Sequence, residues 1–146
     1  GMTTIAYDGK CLASDSKGTT DSGIQELYIY RKLHQNRKYI IGCCGDFGQQ
    51  KRFIQWIFGG SRKKDKPPFS ELSEFAALVY DKSNKDIFYY DKQLTPVHAG
   101  TPTAIGTGAK IALGAMLHGA SALESIKIAA MLDIYTDDVI QMIKIK

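Results

Sequence analysis

The chain has 146 residues, 44% hydrophobic and 23% charged, which reads as one globular domain able to bury its own core without disulfides or a structural metal. It contains neither the roughly 20-residue apolar run of a membrane-spanning helix nor a basic start leading into an apolar stretch, so the expectation is a protein that stays where it is made. The net charge of +4 permits a nucleic-acid partner, but Arg31-Lys32, Arg37-Lys38, Lys51-Arg52 and Arg62-Lys63-Lys64 are interleaved with acids and have no aromatic-rich motif beside them, which argues against one.

Gly1 reads as an expression scar ahead of Met2. Thr3 to Tyr7 and Lys10 to Ser14 are strand-like runs around Asp8-Gly9, a two-residue hairpin signal that pairs Tyr7 with Lys10, Ile5 with Leu12 and Thr3 with Ser14. A polar loop, Ser16 to Gly23, follows. Alternation from Leu27 to Leu33, a turn at His34 to Arg37 and the apolar Tyr39-Ile40-Ile41 predict a second hairpin. The apolar positions Phe53, Ile54, Trp56, Ile57 and Phe58 predict a helix after Asp46 that stops at Gly59-Gly60. Ser61 to Pro68 is a basic connector.

Two further strand pairs are expected, Phe75 to Tyr80 with Asp86 to Tyr90, and Thr95 to His98 with Thr103 to Ile105 across Ala99-Gly100. Helices are expected from Gly108 to Gly119 and after the capping box Ser121 to Glu124, and a last strand from Val139 to Ile145. Strands, helix, strands, two helices and a strand make an α+β layered fold. Cys11, Cys43 and Cys44 cannot all pair within one chain, and the adjacent Cys43 and Cys44 alternate faces in a strand, so a reducing, cytoplasmic setting is expected. No supporting motif surrounds His34, His98 or His118, and no ligand spacing suggests zinc.

Several stretches taken together resemble the catalytic half of proteasome β subunits and the bacterial HslV-type ring proteases: Thr3-Thr4-Ile5-Ala6, Ala13 to Thr19, Arg31-Lys32-Leu33, Gly42-Cys43-Cys44-Gly45, Ile105-Gly106-Thr107-Gly108 and Asp133-Ile134-Tyr135-Thr136. The resemblance implies a four-layer αββα sandwich of antiparallel sheets, one N-terminal nucleophile hydrolase domain spanning 1–146, and a threonine peptidase that needs no cofactor. Removal of Met2 would leave Thr3 with a nucleophilic hydroxyl and a free α-amine as its base. By that resemblance Lys32 tunes Thr3, Asp15 pairs with Lys32, the N–H of Gly45 stabilises the oxyanion, and Thr107, Asp133 and Thr136 order the amine and a water. Thr19 would pair with substrate as an added strand, while Gly18, Tyr30 and Cys44 match pocket-lining positions. The implied partners are a peptide or unfolded protein substrate, further copies of the chain in a homo-oligomeric ring, and an ATPase unfoldase.

Each residue also has a plainer reading. Thr3 is a good strand former, Asp15 an ordinary turn cap, Lys32 a solvated strand lysine, and Gly42 and Gly45 can simply end a strand. Thr107 can open a helix whose N–H groups hold an anion, although the spacing is not that of a P-loop. The cysteines suit small core positions. Two other functions therefore stand beside the peptidase: a catalytically silent assembly subunit, and an anion- or nucleic-acid-binding module.

Overall fold

The computed structural model describes residues 3–16, 31–69, 74–133 and 139–146. The described residues form two antiparallel sheets and three helices. One sheet has the strand order β8-β1-β2-β9, built from β1 (Thr4–Tyr7), β2 (Cys11–Ser14), β8 (Thr103–Gly106) and β9 (Gln141–Lys144). The other has the order β3-β4-β5-β6-β7, from β3 (Leu33–Gln35), β4 (Tyr39–Gly45), β5 (Phe75–Asp81), β6 (Asp86–Asp91) and β7 (Val97–His98). Helix α1 (Phe47–Phe58) covers the five-stranded sheet, while α2 (Ala109–Leu117) and α3 (Ala122–Leu132) cover the other. This is the expected αββα sandwich.

The layers follow from residue parity, because successive strand side chains point to opposite faces. In β1 and β2, Ile5, Tyr7 and Leu12 face the opposing sheet, and Ala6, Cys11 and Ala13 face the helices. In β4 and β5, Ile40, Cys44, Leu78 and Tyr80 point between the sheets, and Ile41, Cys43, Phe75, Ala77 and Val79 point to α1. The alternation of Cys43 and Cys44 is as expected. On α1, Phe53, Trp56 and Ile57 recur at helical spacing; Phe53 lies within 5.0–6.1 Å of the rings of Phe75, Tyr90 and Trp56. Burying a side chain of this size stabilises the fold by about 1.5–3 kcal/mol.

Helix ends match their signals. The Asp46 side chain accepts from the N–H of Gln49, and Gly59 ends α1. Ser121 accepts from the N–H of Glu124 at 3.1 Å, the first half of a capping box. The basic connector contains one short 3-10 turn, Lys63–Asp65.

Three expectations are corrected. The first hairpin pairs Tyr7 with Leu12 and Ile5 with Ser14, two residues away from the expected register. The cause is the Asp8 carboxylate, whose Oδ1 accepts from the N–H groups of Lys10 and Cys11 at 2.8 and 2.9 Å and widens the turn. A shift of two preserves every side chain's face. His34 and Gln35 belong to β3, and the turn lies at Asn36, whose Oδ1 accepts from Lys38 and Tyr39. Finally, β7 and β8 are not a hairpin: β7 pairs with β6, while β8 crosses to the other sheet and pairs with β1 from Thr4↔Gly106 to Tyr7↔Thr103. There Ile105 joins the inter-sheet core.

Asp8 also reaches α3, where its Oδ2 accepts from the N–H of Ala122 at 2.8 Å. Partial burial pushes its pKa up, but the N–H groups of Ala122, Lys10 and Cys11 outweigh this and hold the carboxyl below its ordinary value. A depressed folded-state pKa means that the contribution is full above the unfolded value of about 3.9 and is lost as pH falls through the folded value. Asp8→Ala is expected to lower stability by about 1–2 kcal/mol at pH 7. Urea midpoints followed from pH 7 to pH 2 should show the gap between variant and parent closing in acid.

Candidate active site

Three segments distant in sequence meet at the edge where β1 begins. Thr3 immediately precedes β1, Asp15 follows β2, and Lys32 precedes β3. Antiparallel pairing of Ile5 with Ser14 carries Asp15 back beside the start of the chain. There the N–H of Asp15 donates to the carbonyl of Thr4 at 3.3 Å, and the N–H of Thr4 donates to Asp15 Oδ1 at 3.0 Å. The same Oδ1 accepts from Thr3 Oγ1 at 2.8 Å and from Lys32 Nζ at 3.0 Å.

One carboxylate oxygen thus gathers a hydroxyl, a backbone N–H and a cation. Asp15 is 0% exposed, Thr3 3% and Lys32 7%. A solvated lysine and a surface turn cap are not what these residues are. The pair is a buried salt bridge, tolerable because each charge faces the other and the carboxylate has further donors. Sharing Oδ1 places the Thr3 hydroxyl and the Lys32 ammonium within about 6 Å of each other, close enough for the cation to act on any charge that develops at Thr3.

Strand β8 supports Thr3 from the other side. The N–H of Thr107 donates to the Thr3 carbonyl at 2.8 Å, and the N–H of Gly108 donates to Thr4 Oγ1 at 3.0 Å. The Thr107 hydroxyl donates to Asp133 Oδ2 at 2.7 Å, at the C-terminal end of α3. Glycine is required at 106: its φ is +99°, and a Cβ would run into the Thr3 carbonyl. At Gly108 a Cβ would stand 2.5 Å from Thr4 Oγ1. The glycines around Thr107 let β8 close on the backbone of Thr3 and Thr4.

Gly45 ends β4 with φ +129°, where a Cβ would lie 2.5 Å from the carbonyl oxygen of Glu74. Along the same strand, Gly42 packs against the Ile5 side chain, so β4 crosses β1 face to face. Cys44 points into the inter-sheet layer, and burial pushes its pKa up to about 12, opposed in part by Lys32. Burial likewise pushes Cys11 to about 11 and Cys43 well above its ordinary value. All three thiols are buried and stay protonated at neutral pH, which suits core packing and not nucleophilic attack.

Of the residues singled out from sequence, Thr3, Asp15 and Lys32 converge on one oxygen, and Thr107 and Asp133 form a linked pair behind Thr3. Gly18, Thr19, Tyr30 and Thr136 lie outside the described residues. Among the described residues, no group of three or more His, Cys, Asp and Glu side chains could hold a metal ion, and no helix is long and apolar enough to cross a membrane.

Two contributors were not visible in the sequence. One is Thr4, whose hydroxyl receives the Gly108 N–H. The other is Gln141 on β9: its Oε1 accepts from the N–H groups of Lys32 and Leu33 at 2.8 and 3.3 Å, and its Nε2 donates to Ser16 Oγ at 2.9 Å. The only sequence hint was an amide side chain within an otherwise apolar run.

No family model matches the chain, and no curated protein matches it by sequence. Solved structures match it in fold. Eukaryotic HslV from Trypanosoma brucei aligns with a TM-score of 0.70 and 16% identity, over 97% of this chain and 97% of that one. BPH from Thiobacillus denitrificans in complex with epoxomicin aligns with a TM-score of 0.71 and 16% identity, over 99% of this chain and 98% of that one. A second structure of that BPH gives 0.70 and 17% over the same shares. The chain therefore has the αββα fold of HslV and BPH along nearly its whole length, the fold that the sequence resemblance implied.

Proposed function

We propose that the chain is a threonine peptidase of the N-terminal nucleophile type, with Thr3 as nucleophile once its nitrogen is free. The observation that carries this reading is the convergence of Thr3 Oγ1 and Lys32 Nζ on the buried Asp15 Oδ1.

In the reaction, the Thr3 hydroxyl oxygen attacks the carbonyl carbon of a peptide bond, and its proton passes to the neutral α-amine of Thr3 directly or through water. The tetrahedral oxyanion is received by the N–H of Gly45 in this reading, supported by the glycine-only backbone there. The C–N bond then breaks, the leaving amine takes the proton, and an ester on Thr3 remains. Water, deprotonated by the α-amine, hydrolyses that ester and restores the hydroxyl. Lys32 lowers the energy of the negative charge that develops at Thr3 and favours the neutral amine. Asp15 anchors Lys32. Thr107 holds the Thr3 carbonyl, Asp133 orients Thr107, and Thr136 completes the set that orders the amine and water. Thr19, Gly18, Tyr30 and Cys44 are assigned to substrate.

The reading includes a homo-oligomer. Leu117 at the end of α2 and Met131 and Leu132 at the end of α3 are 70%, 81% and 72% exposed, apolar side chains suited to burial against further copies of the chain. An ATPase unfoldase would feed such a ring.

Epoxomicin, the ligand of the BPH structure, supplies the test. A chain beginning at Thr3 is expected to gain the mass of one epoxomicin, with the modification on Thr3 by peptide mapping. An unmodified, folded chain under the same conditions would favour the silent assembly subunit.

A further inference from the structure

Gln141 lies on β9, opposite Ser14 of β2. From there its side-chain amide spans the two sheets at the edge where Thr3 sits. The Oε1 end takes the N–H groups of Lys32 and Leu33, at the start of β3 in the opposing sheet, and the Nε2 end reaches Ser16 Oγ, one residue beyond Asp15. These contacts fix which way the amide points. Two backbone donors require an oxygen, so the NH2 must face Ser16, whose hydroxyl oxygen accepts.

The ion pair Lys32–Asp15 joins these same two segments. Lys32 reaches Asp15 through a long flexible stem with several rotatable bonds, so its head can hold one position only if its backbone is held too. The Gln141 amide provides that hold, tying the backbone of Lys32 to the segment that carries Asp15. Among the described residues, Asp15 binds the Thr3 hydroxyl, Lys32 binds Asp15, Cys44 lies in the field of both, and Asp133 is linked to Thr3 through Thr107; of these four, Lys32 alone is cationic.

We infer that Gln141 is a positioning residue: by bridging the Lys32–Leu33 backbone to Ser16, it holds the Lys32 ammonium on Asp15 and beside Thr3. This rests on the reading of Thr3 as nucleophile and Lys32 as its tuning cation. It adds a residue from the far end of the chain that touches no substrate.

The test uses full-length chains beginning at Thr3, carrying Gln141, Gln141→Leu or Gln141→Glu. Glu keeps an oxygen for the two N–H groups and a second that the Ser16 hydroxyl can donate to, whereas Leu keeps only bulk. Two quantities are read: the rate of epoxomicin labelling against pH, and the titration midpoint of the Thr3 α-amine by NMR, which needs no turnover. The Leu variant is expected to label at least tenfold more slowly and to titrate at least half a pH unit higher, because the cation no longer sits beside the amine. Faster exchange of the Lys32 and Leu33 amide protons should accompany this. The Glu variant should recover slow exchange at those amides and most of the labelling rate. A Leu variant with the parental midpoint overturns the inference, even if it labels slowly, since a loss of packing alone would not move the titration. If the parent chain does not label, the peptidase reading fails, and the amine midpoint still decides the role of Gln141.

Discussion

A chain that begins at Thr3 is expected to label and to hydrolyse small peptides, while the same chain preceded by Gly1-Met2 stays silent. With residues ahead of it, the Thr3 nitrogen is an amide without a basic lone pair. The Thr3 hydroxyl donates to Asp15 Oδ1 at 2.8 Å, and no α-amine competes for its proton. Freeing the nitrogen adds that base, which titrates near pH 8 when unperturbed and lower beside a cation. Supplying a positioned base accelerates such steps on the order of 10²–10⁴-fold. The rate should rise with pH through about 7 to 8, following the neutral fraction of the amine. Both forms must be folded, which circular dichroism and urea midpoints establish. Equal reactivity of the two forms toward epoxomicin and small peptides would end the enzyme reading.

The second large effect is expected at the buried pair. If Lys32 tunes Thr3 as the resemblance implies, and is otherwise a solvated strand lysine, Lys32→Ala should abolish acylation while barely moving stability. The burial of the pair reverses the expectation for stability. Asp15 is fully buried and Lys32 nearly so, so removing the cation strands a carboxylate in the interior, at a cost of about 3–5 kcal/mol. Lys32→Ala is therefore expected to lose both labelling and much of its stability, and by itself it cannot separate the two roles. The double variant Asp15→Asn with Lys32→Met can. It leaves no net charge behind, keeps an acceptor for Thr3 Oγ1 and the Thr4 N–H, and is expected to unfold at a urea midpoint near the parent's while labelling at least 100-fold more slowly. A folded double variant that labels at the parental rate would remove Lys32 and Asp15 from the mechanism.

Much of the architecture was legible because it rests on local chemistry. The apolar runs Tyr39-Ile40-Ile41 and Phe75 to Tyr80 mark two strands buried on both faces, and in any strand successive side chains serve different layers whatever its partners are. The helix around Phe53 to Phe58 was readable from its apolar spacing and its Asp46 and Gly59 ends, and α3 from Ser121 and Glu124. The site was legible only in part. Thr3, Asp15 and Lys32 could be named through the resemblance, but each residue by itself also fitted an ordinary strand or turn.

The sequence by itself determined most of the elements and the faces they bury, because propensity, capping and alternation act within a few residues along the chain. Tertiary structure alone decided pairing and distance. The Asp8 carboxylate widened the first turn by hydrogen bonds that Asp-Gly spacing does not encode. Strand β8 left its sequence neighbour because the open edge of β1 lay in the other sheet, where Ile105 could be buried. The burial of Lys32 against Asp15, and the clamp of Gln141 on a backbone 109 residues away, arise where the two sheets close on each other. Contacts between segments so far apart in the chain are products of packing and leave no local pattern to read.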